Sequence, residues 1–379
     1  RFDDEVTRYT LYRNFYDPYQ REWKNGNSRW DIIDMLRLTR ALRPEGIEWP
    51  DHEDGRPSFK LEHLTAANGL AHEAAHDALS DVTATIAVAK LVKQKQPRLF
   101  DYVLQNRGKK QIAAMLDLKA RKPFFHISGM LGSEHMYGAM MMPLAQHPTN
   151  SNGIICCDLS ADPEMLISLN EHQIRERVFT ASADLPEGEE RIPLKVVHIN
   201  KAPVVTTHKL IDAAAAKRLG IDLQRSEQNW QRLSNHNLSE KLQLVFREQS
   251  FPPKPEAEQQ LYGGFLPNQD RDLLNEVRRA SADDFARQQF YFSDNRYNQL
   301  LFSYRARYFP QSLSAEEQQT WRESCRWRLT DEQSGYLTLQ QNNQTLSELL
   351  ADSSLNDHQR GVLQALQNWS QSVAEQFSV

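Results

Sequence analysis

Apolar residues recur along this 379-residue chain with two different periods. The segment DVTATIAVAKLVKQ (81–94) has the spacing of an amphipathic helix, and Pro97 lies just beyond it, where the pattern ends. A second helix is predicted over residues 163–179. Short runs rich in apolar and β-branched residues predict strands at PFFHIS (123–128), GIICCDL (153–159) and IPLKVVHI (192–199).

These elements divide the chain into three regions and predict an α+β protein. Residues 1–97 combine helical patterns with segments rich in Trp and Tyr. Residues 98–248 alternate strands with helices, which indicates a small mixed or barrel-like β domain with helical insertions. Residues 249–379 are helical nearly throughout, except for a proline-rich segment without a sustained period, which predicts a linker at about 249–260.

The charge of the chain is acidic on average but basic in one segment. A formal net charge of −5 is not typical of a protein that binds nucleic acid over much of its surface. Residues 90–122, however, contain ten Lys or Arg against two Asp, a local balance of +8. This segment is either a solvated helix face or a surface that binds an anion.

Composition excludes several classes of protein. The hydrophobic share of 40% and the charged share of 25% are typical of a folded globular protein. No apolar run is long enough to span a membrane, and the three cysteines, two of them adjacent, do not form a disulfide framework. We therefore expect a cytoplasmic protein that does not bind membranes. Because the chain begins with Arg1 instead of Met, we interpret it as a piece whose beginning lies upstream.

The segment AHEAAHDALSDV (71–82) carries candidate chemistry of two kinds. His72, Glu73 and His76 match the H-E-x-x-H pattern of zinc peptidases, which requires one continuous helix. Against this, Asn68-Gly69 stops a helix, and Asp77 is a good N-cap for a new helix that would leave both histidines in the preceding loop.

The alternative pairs His76 with Asp81. Five residues rotate about 140° on a helix, so the two side chains converge only if His76 lies in the loop and Asp81 in the first turn. Asp81 would then hold a divalent cation while His76 accepts a proton from an attacking water. A capping Asp77 with an ordinary surface histidine explains the same residues, and the residues alone leave these alternatives open.

Two motifs resemble those of a known nuclease superfamily. RFDDEVTR at the start of the chain resembles the second motif of the DEDD exonucleases, and HDALSD resembles the third motif of their histidine-containing branch, DEDDh. Further segments resemble the bacterial exodeoxyribonuclease I family, so that the likeness covers essentially the whole chain; they are YRNFYDPY, NSRWDIIDMLR, ALRPEGIEWP, PSFKLEHLTAANG, KLVKQKQPRLFDY, HISGMLG, VHINKAPV, LYGGF and LLFSYRARYFP.

The resemblance implies a fold and an activity. It implies part of a ribonuclease H-like exonuclease domain in residues 1–97, an SH3-like domain in 98–248 and a helical C-terminal domain in 249–379. It also implies 3′→5′ hydrolysis of single-stranded DNA to 5′-mononucleotides by two Mg²⁺ ions, with Mn²⁺ as an alternative, in DNA repair and recombination.

The same resemblance assigns the catalytic residues. Asp3 and Asp81 match the metal-binding aspartates of the second and third motifs, and His76 matches the general base. The first motif, an Asp-x-Glu on the opening strand of the domain, has no counterpart in this sequence. We expect it within about a hundred residues upstream, and we expect a polypeptide of only these 379 residues to be inactive.

Single-stranded DNA is held by cations and by aromatic side chains. The resemblance implies DNA contacts for five residues of the first region: Arg8, Tyr19, Trp23, Arg37 and Lys60. The basic segment 90–122 would line the channel for DNA, with Lys109 as its candidate contact. Arg305 and Arg307 would form the opposite wall of this channel unless they are salt-bridged surface residues. The methionine-rich segment 133–148 is either core or a place where DNA is held weakly.

The family also implies a partner, the C-terminal tail of single-stranded-DNA-binding protein, and we expect a monomer. Two other functions remain as alternatives. One is a non-catalytic scaffold that binds single-stranded DNA or a partner protein, and the other is the zinc peptidase.

Overall fold

The computed structural model describes residues 2–72, 77–247 and 254–378, with only the backbone of Phe2. Within these ranges the chain forms two compact units. One unit contains residues 2–24 and 254–378, so that α1 (Phe2–Arg13) belongs with the C-terminal helices. The other contains residues 25–72 and 77–247. No helix in the described ranges is long and apolar enough to cross a membrane.

The larger unit begins with a group of helices. They are α2 (Ile32–Leu42), α3 (Leu61–Ala67), α4 (Ala78–Lys95), α5 (Pro97–Asn106) and α6 (Lys109–Met115). The side chain of Asp31 caps α2 by accepting a hydrogen bond from the Ile33 N–H, and Met35 and Leu38 on its inner face are fully buried. The described residues before β1 contain no strand, only an isolated β-bridge between Asp51 and Pro57.

An antiparallel five-stranded sheet forms the centre of this unit. Its strands are β1 (Phe124–Ile127), β2 (Gly138–Gln146), β3 (Gly153–Asp158), β4 (Leu194–His198) and β5 (Val204–Thr207), in the spatial order β4-β3-β2-β1-β5. The register shifts at a bulge between Pro143 and Ala145 where β2 pairs with β3.

Both faces of the sheet are covered. Alternate residues enter different cores, as expected for a strand period of two: Phe125 and Met142 pack in one core, and Phe124 and Met141 in the other. The remaining helices of the unit are α7 (Glu164–Ser168), α8 (Glu171–Phe179), α9 (Ala213–Leu219), α10 (Leu223–Ser234) and α11 (Ser239–Arg247).

The smaller unit is helical in its described residues. It adds α12 (Arg271–Arg279), α13 (Ala282–Arg287), α14 (Asn295–Tyr308), α15 (Ala315–Thr330), α16 (Leu339–Leu350) and α17 (Asp357–Phe377) to α1. Tyr12 and Phe15 are buried against Phe292 and Tyr297, with a Tyr12–Tyr297 ring distance of 5.5 Å. The Tyr12 hydroxyl donates to the Ala257 carbonyl at 2.9 Å, which ties α1 to the chain before α12.

The three predicted strands and the helix at 81–94 are confirmed, but β2 and β5 were not predicted. The methionine-rich part of β2 lacks the β-branched residues that indicate a strand. Met140, Met141 and Met142 are buried, so this segment is core, and the alternative that it faces DNA is wrong for these residues.

Two further expectations need correction. The helix predicted over 163–179 is broken into α7 and α8, because Asn170 forms a capping box with Gln173 that starts a new helix. The linker predicted at about 249–260 contains buried residues, since Ala257 and Glu258 are only 4% and 5% exposed. Residues 248–253 lie outside the described ranges.

Candidate functional site

The chain between α3 and α4 carries the catalytic candidates. The Asp77 carboxylate accepts a hydrogen bond from the Ser80 N–H at 3.0 Å, and α4 begins at Ala78, so the predicted N-cap is confirmed. Asp81 lies in the first turn of α4, as the pairing with a loop histidine requires. His76, the candidate general base, lies outside the described residues.

Asp81 is bonded to a histidine that was not proposed for this role. The His72 Nε2 lies 2.9 Å from the Asp81 Oδ1, and a carboxylate only accepts, so this nitrogen carries the hydrogen. The His72 side chain is 4% exposed and that of Asp81 is 44% exposed. The Asp81 carboxylate is thus held from the protein side and is accessible to a solute.

The zinc-peptidase alternative does not fit this geometry. Its motif needs both histidines on one helix, but α3 ends at Ala67, α4 begins at Ala78 and His72 is not helical. The His72 Nε2 is also used by Asp81. Glu73 lies outside the described residues together with His76.

The carboxylates of Asp3 and Asp81 have the chemistry that a hard divalent cation prefers. Asp3 lies exposed in the first turn of α1, and Asp81 is partly exposed, and Mg²⁺ and Mn²⁺ prefer such carboxylate oxygens. In residues 2–72, 77–247 and 254–378, no three His, Cys, Asp or Glu side chains come together as a metal site. Within the described residues, Asp3 and Asp81 are therefore separate candidate ligands and are not part of a cluster of three.

The first DNA-contact candidates lie close together in the smaller unit. Both Arg8 guanidinium bonds to Glu22 measure 2.8 Å, and the Arg8 guanidinium carbon lies 5.4 Å from the centre of the Tyr19 ring. The bond to Glu22 raises the pKa of Arg8, and burial raises the pKa of Tyr19 to about 12. Trp23 is 56% exposed. Trp23 is open to a nucleotide base, whereas Arg8 already holds a carboxylate.

Arg37 on α2 lies in a packed position of the larger unit. It donates to the Asp34 carboxylate at 2.6 Å, and its guanidinium carbon lies 4.4 Å from the centre of the Tyr137 ring. Burial raises the pKa of Asp34, while the hydrogen bond and charge of Arg37 act to lower it. Its Nε is buried without a hydrogen-bond partner in the described part of the chain. Arg37 thus has a structural role in stacking and pairing beside the one proposed for it.

Lys60 and Lys109 are exposed, and both lie at helix starts. Lys60 is the N-cap residue of α3, and Lys109 begins α6. A cation at the positive end of a helix does not favour the helix, so neither lysine is placed for helix stability. In the rest of the basic segment, Arg121 differs from its exposed neighbours because it donates to the carbonyls of Leu233 and His236.

Arg305 and Arg307 both form ion pairs inside the smaller unit. The Arg305 Nη1 lies 3.0 Å from the Glu317 Oε1, and Arg307 pairs with Glu258. The structure thus matches the alternative of salt-bridged arginines, and a strand of DNA would have to compete with these carboxylates.

The segment LYGGF contains an exposed aromatic residue that was not predicted from the sequence. Phe265 is 85% exposed, and its ring centre lies 6.1 Å from that of Tyr19. The neighbouring Tyr262 donates to the Glu5 carboxylate. The two glycines between Tyr262 and Phe265 were a signal for a loop at this position.

Comparison with known families shows the class of the protein, a nuclease with an SH3-like domain and a helical C-terminal domain. The family models that match are the Exonuclease I SH3-like domain at residues 107–248 and the Exonuclease I C-terminal domain at 255–373. The larger unit's sheet lies in the first match and helices α12–α16 in the second.

Relatives of known function show the family. Exodeoxyribonuclease I of Haemophilus influenzae is 46% identical over 325 residues, which are 85% of this chain and 69% of the relative. Exodeoxyribonuclease I of Escherichia coli is 46% identical over 334 residues, 88% of this chain and 70% of the relative. The chain belongs to the exodeoxyribonuclease I family.

Solved structures agree. Exonuclease I of Methylocaldum szegediense is 46% identical with a TM-score of 0.92, and the match covers 98% of this chain and 78% of that protein. E. coli Exonuclease I in complex with a dA16 oligonucleotide is 42% identical, with the same TM-score and coverage. Other solved structures include an SSB/Exonuclease I structure with an inhibitor and a zinc-bound form of the E. coli enzyme with single-stranded DNA.

Proposed function

We propose that the protein is a 3′→5′ exonuclease that degrades single-stranded DNA to 5′-mononucleotides. The observation that carries this proposal is the 46% identity to exodeoxyribonuclease I over 88% of the chain. The position of Asp81 supports it, because a half-exposed carboxylate at the start of α4 is accessible to a cation.

The proposed catalytic roles follow the motifs. Asp81 and Asp3 hold divalent cations, with Mg²⁺ the expected ion, and a bound cation lowers the pKa of water and neutralises charge on the phosphate. His76 accepts the proton of the attacking water. Asp3 and His76 are assigned on the resemblance of their motifs, whereas Asp81 is supported by its exposure as well.

The proposed DNA contacts differ in strength of support. Trp23, Lys60 and Lys109 are exposed and suited to a base or a phosphate. Arg8, Tyr19 and Arg37 are proposed on the resemblance, although the two arginines pair with carboxylates. Arg305 and Arg307 have the weakest support because of their ion pairs.

We further propose a domain organisation and a partner. Residues 1–97 complete the exonuclease domain, with α1 packed among the C-terminal helices, 98–248 form the SH3-like domain and 249–379 the C-terminal domain. The C-terminal tail of single-stranded-DNA-binding protein binds the protein, which acts as a monomer in the cytoplasm. Light scattering on the purified full-length protein, with and without a peptide of that tail, tests the monomer and the partner.

The experiment that tests the function is degradation of end-blocked oligonucleotides. The full-length protein is incubated with Mg²⁺ and a single-stranded DNA whose 3′ or 5′ terminal linkages are phosphorothioate. We expect 5′-mononucleotides from the 5′-blocked strand and little from the 3′-blocked one. Binding without hydrolysis of either strand would support the non-catalytic scaffold instead.

A further inference from the structure

His72 contacts the carboxylate that is proposed to hold a cation. Its side chain is 4% exposed, and its Nε2–H donates to the Asp81 Oδ1 at 2.9 Å. On the other side of the ring, Nδ1 lies 3.4 Å from the Thr65 Oγ1. The imidazole thus lies between α3 and the first turn of α4.

The loop that carries His72 is fixed where it leaves α3. The Asn68 side chain accepts from the Glu48 N–H at 3.0 Å and donates to the Glu48 carbonyl at 2.8 Å. The Leu70 N–H donates to the Thr65 carbonyl at 2.9 Å. The Thr65 hydroxyl is held in turn by the Leu61 carbonyl at 2.9 Å. These bonds hold the backbone between the end of α3 and Leu70, from which His72 reaches Asp81.

We propose that His72 is a positioning residue that sets the orientation of the Asp81 carboxylate for a divalent cation. This inference rests on the proposed function, in which Asp81 is a metal ligand. The terminal torsion of an aspartate is broad, so a carboxylate without such a bond samples many orientations. A hydrogen bond from a buried ring selects one of them before the cation arrives.

The expected size of the effect follows from other metal sites. Removal of a residue that orients a metal ligand costs about 10–100-fold in metal affinity or activity. His72→Leu should weaken divalent-cation binding by about that factor. His72→Gln keeps an N–H donor near the position of Nε2 and should stay within about threefold of the unchanged protein, since the bond to Asp81 is retained.

The experiment measures cation binding apart from turnover. Mn²⁺ is titrated into the full-length protein and its binding is followed by electron paramagnetic resonance, and the Mg²⁺ concentration for half-maximal DNA hydrolysis is measured in parallel. Asp81→Asn should abolish a class of bound Mn²⁺. His63→Leu is the matched control, because it removes an imidazole on α3 that is hydrogen-bonded to the Ser58 hydroxyl and not to Asp81.

The outcomes are distinct. The inference is supported if His72→Leu binds Mn²⁺ more weakly while His72→Gln and His63→Leu bind it nearly as well as the unchanged protein. A lower melting temperature with unchanged Mn²⁺ affinity would make His72 only a structural tie and would overturn it, as would unchanged Mn²⁺ binding in Asp81→Asn. If these binding results hold but the protein hydrolyses no DNA, the nuclease function fails and the positioning role stands.

Discussion

Burial controls the protonation of His126 in the centre of the sheet. This imidazole is fully enclosed on β1, with its Nδ1 2.9 Å from the Val204 carbonyl. Loss of hydration lowers its pKa from 6.5 to about 4, against the bond to Val204, and the charge of Lys195 lowers it further. The folded protein therefore keeps this ring neutral at a pH where the unfolded chain protonates it.

This gives a prediction for stability against pH. Protonation below pH 6.5 favours the unfolded chain, so the contribution of His126 is complete above 6.5 and is lost as the pH falls towards 4. The full loss, reached near pH 4, amounts to about 3 kcal/mol at 1.36 kcal/mol per unit of pKa, and about 2 kcal/mol of it falls between pH 7.5 and 5. His126→Leu should reduce this pH dependence in urea unfolding at pH 7.5 and 5, whereas His172→Leu, an exposed histidine, should keep it. The prediction would be contradicted if the free energy of unfolding changed equally between pH 7.5 and 5 in the unchanged protein and in both variants.

The proposed role of His76 as general base gives a second prediction. If it accepts the proton of the attacking water, His76→Ala in the full-length protein should lower turnover by about 10²–10⁴-fold, the usual contribution of a general base. Single-turnover hydrolysis of a labelled oligonucleotide measures this, with binding of the same strand as a control. A rate near that of the unchanged protein would assign the proton transfer to another group.

At the scale of the element, the start of α4 matters most because it places Asp81. The N-cap bond of Asp77 satisfies one of the N–H groups that a helix leaves unpaired. Asp77→Ala should cost about 1 kcal/mol of stability in urea unfolding, while Asp77→Ser, which keeps a capping oxygen, should cost less. The same loss in both variants would show that the cap does not stabilise the helix.

Local patterns were sufficient for some elements and insufficient for others. The capping of Asp77 and the strands with β-branched residues were predictable, because both depend on nearby residues. The break at Asn170 depends on a single capping box within a helical pattern, and β2 is a strand because its methionines fill two cores. Packing of that kind is not visible in a window of sequence.

The candidate site shows the same division. Asp81 and its place in the first turn followed from the spacing of the motif, but the bond from His72 did not, since it crosses nine residues and depends on how the loop is fixed. Likewise, the pairing of Arg307 with Glu258 joins residues 49 apart. Charge in the sequence indicated cations for DNA but not which of them already hold a carboxylate.

At the scale of the whole molecule, contacts between distant parts of the sequence decide the division into units. α1 was expected to belong with the residues that follow it, but Tyr12 and Phe15 are buried among side chains beyond residue 250. The sequence indicates such a grouping only through the number of aromatic residues in both segments. The resemblance to a family, which covers the whole chain, indicated the family's fold and activity, but it did not indicate this grouping of α1.

If Asp81 holds a cation for DNA hydrolysis, its exchange for Asn in the full-length protein should remove most of the nuclease activity. Asp81→Asn removes the negative charge with little change in size, and Asp101→Asn on the exposed part of α5 is the matched control. We expect Asp81→Asn to lower the Mg²⁺-dependent release of 5′-mononucleotides by at least about 10²-fold, with unchanged binding of single-stranded DNA, and Asp101→Asn to have no effect. Release at the full rate from Asp81→Asn would show that Asp81 does not take part in hydrolysis.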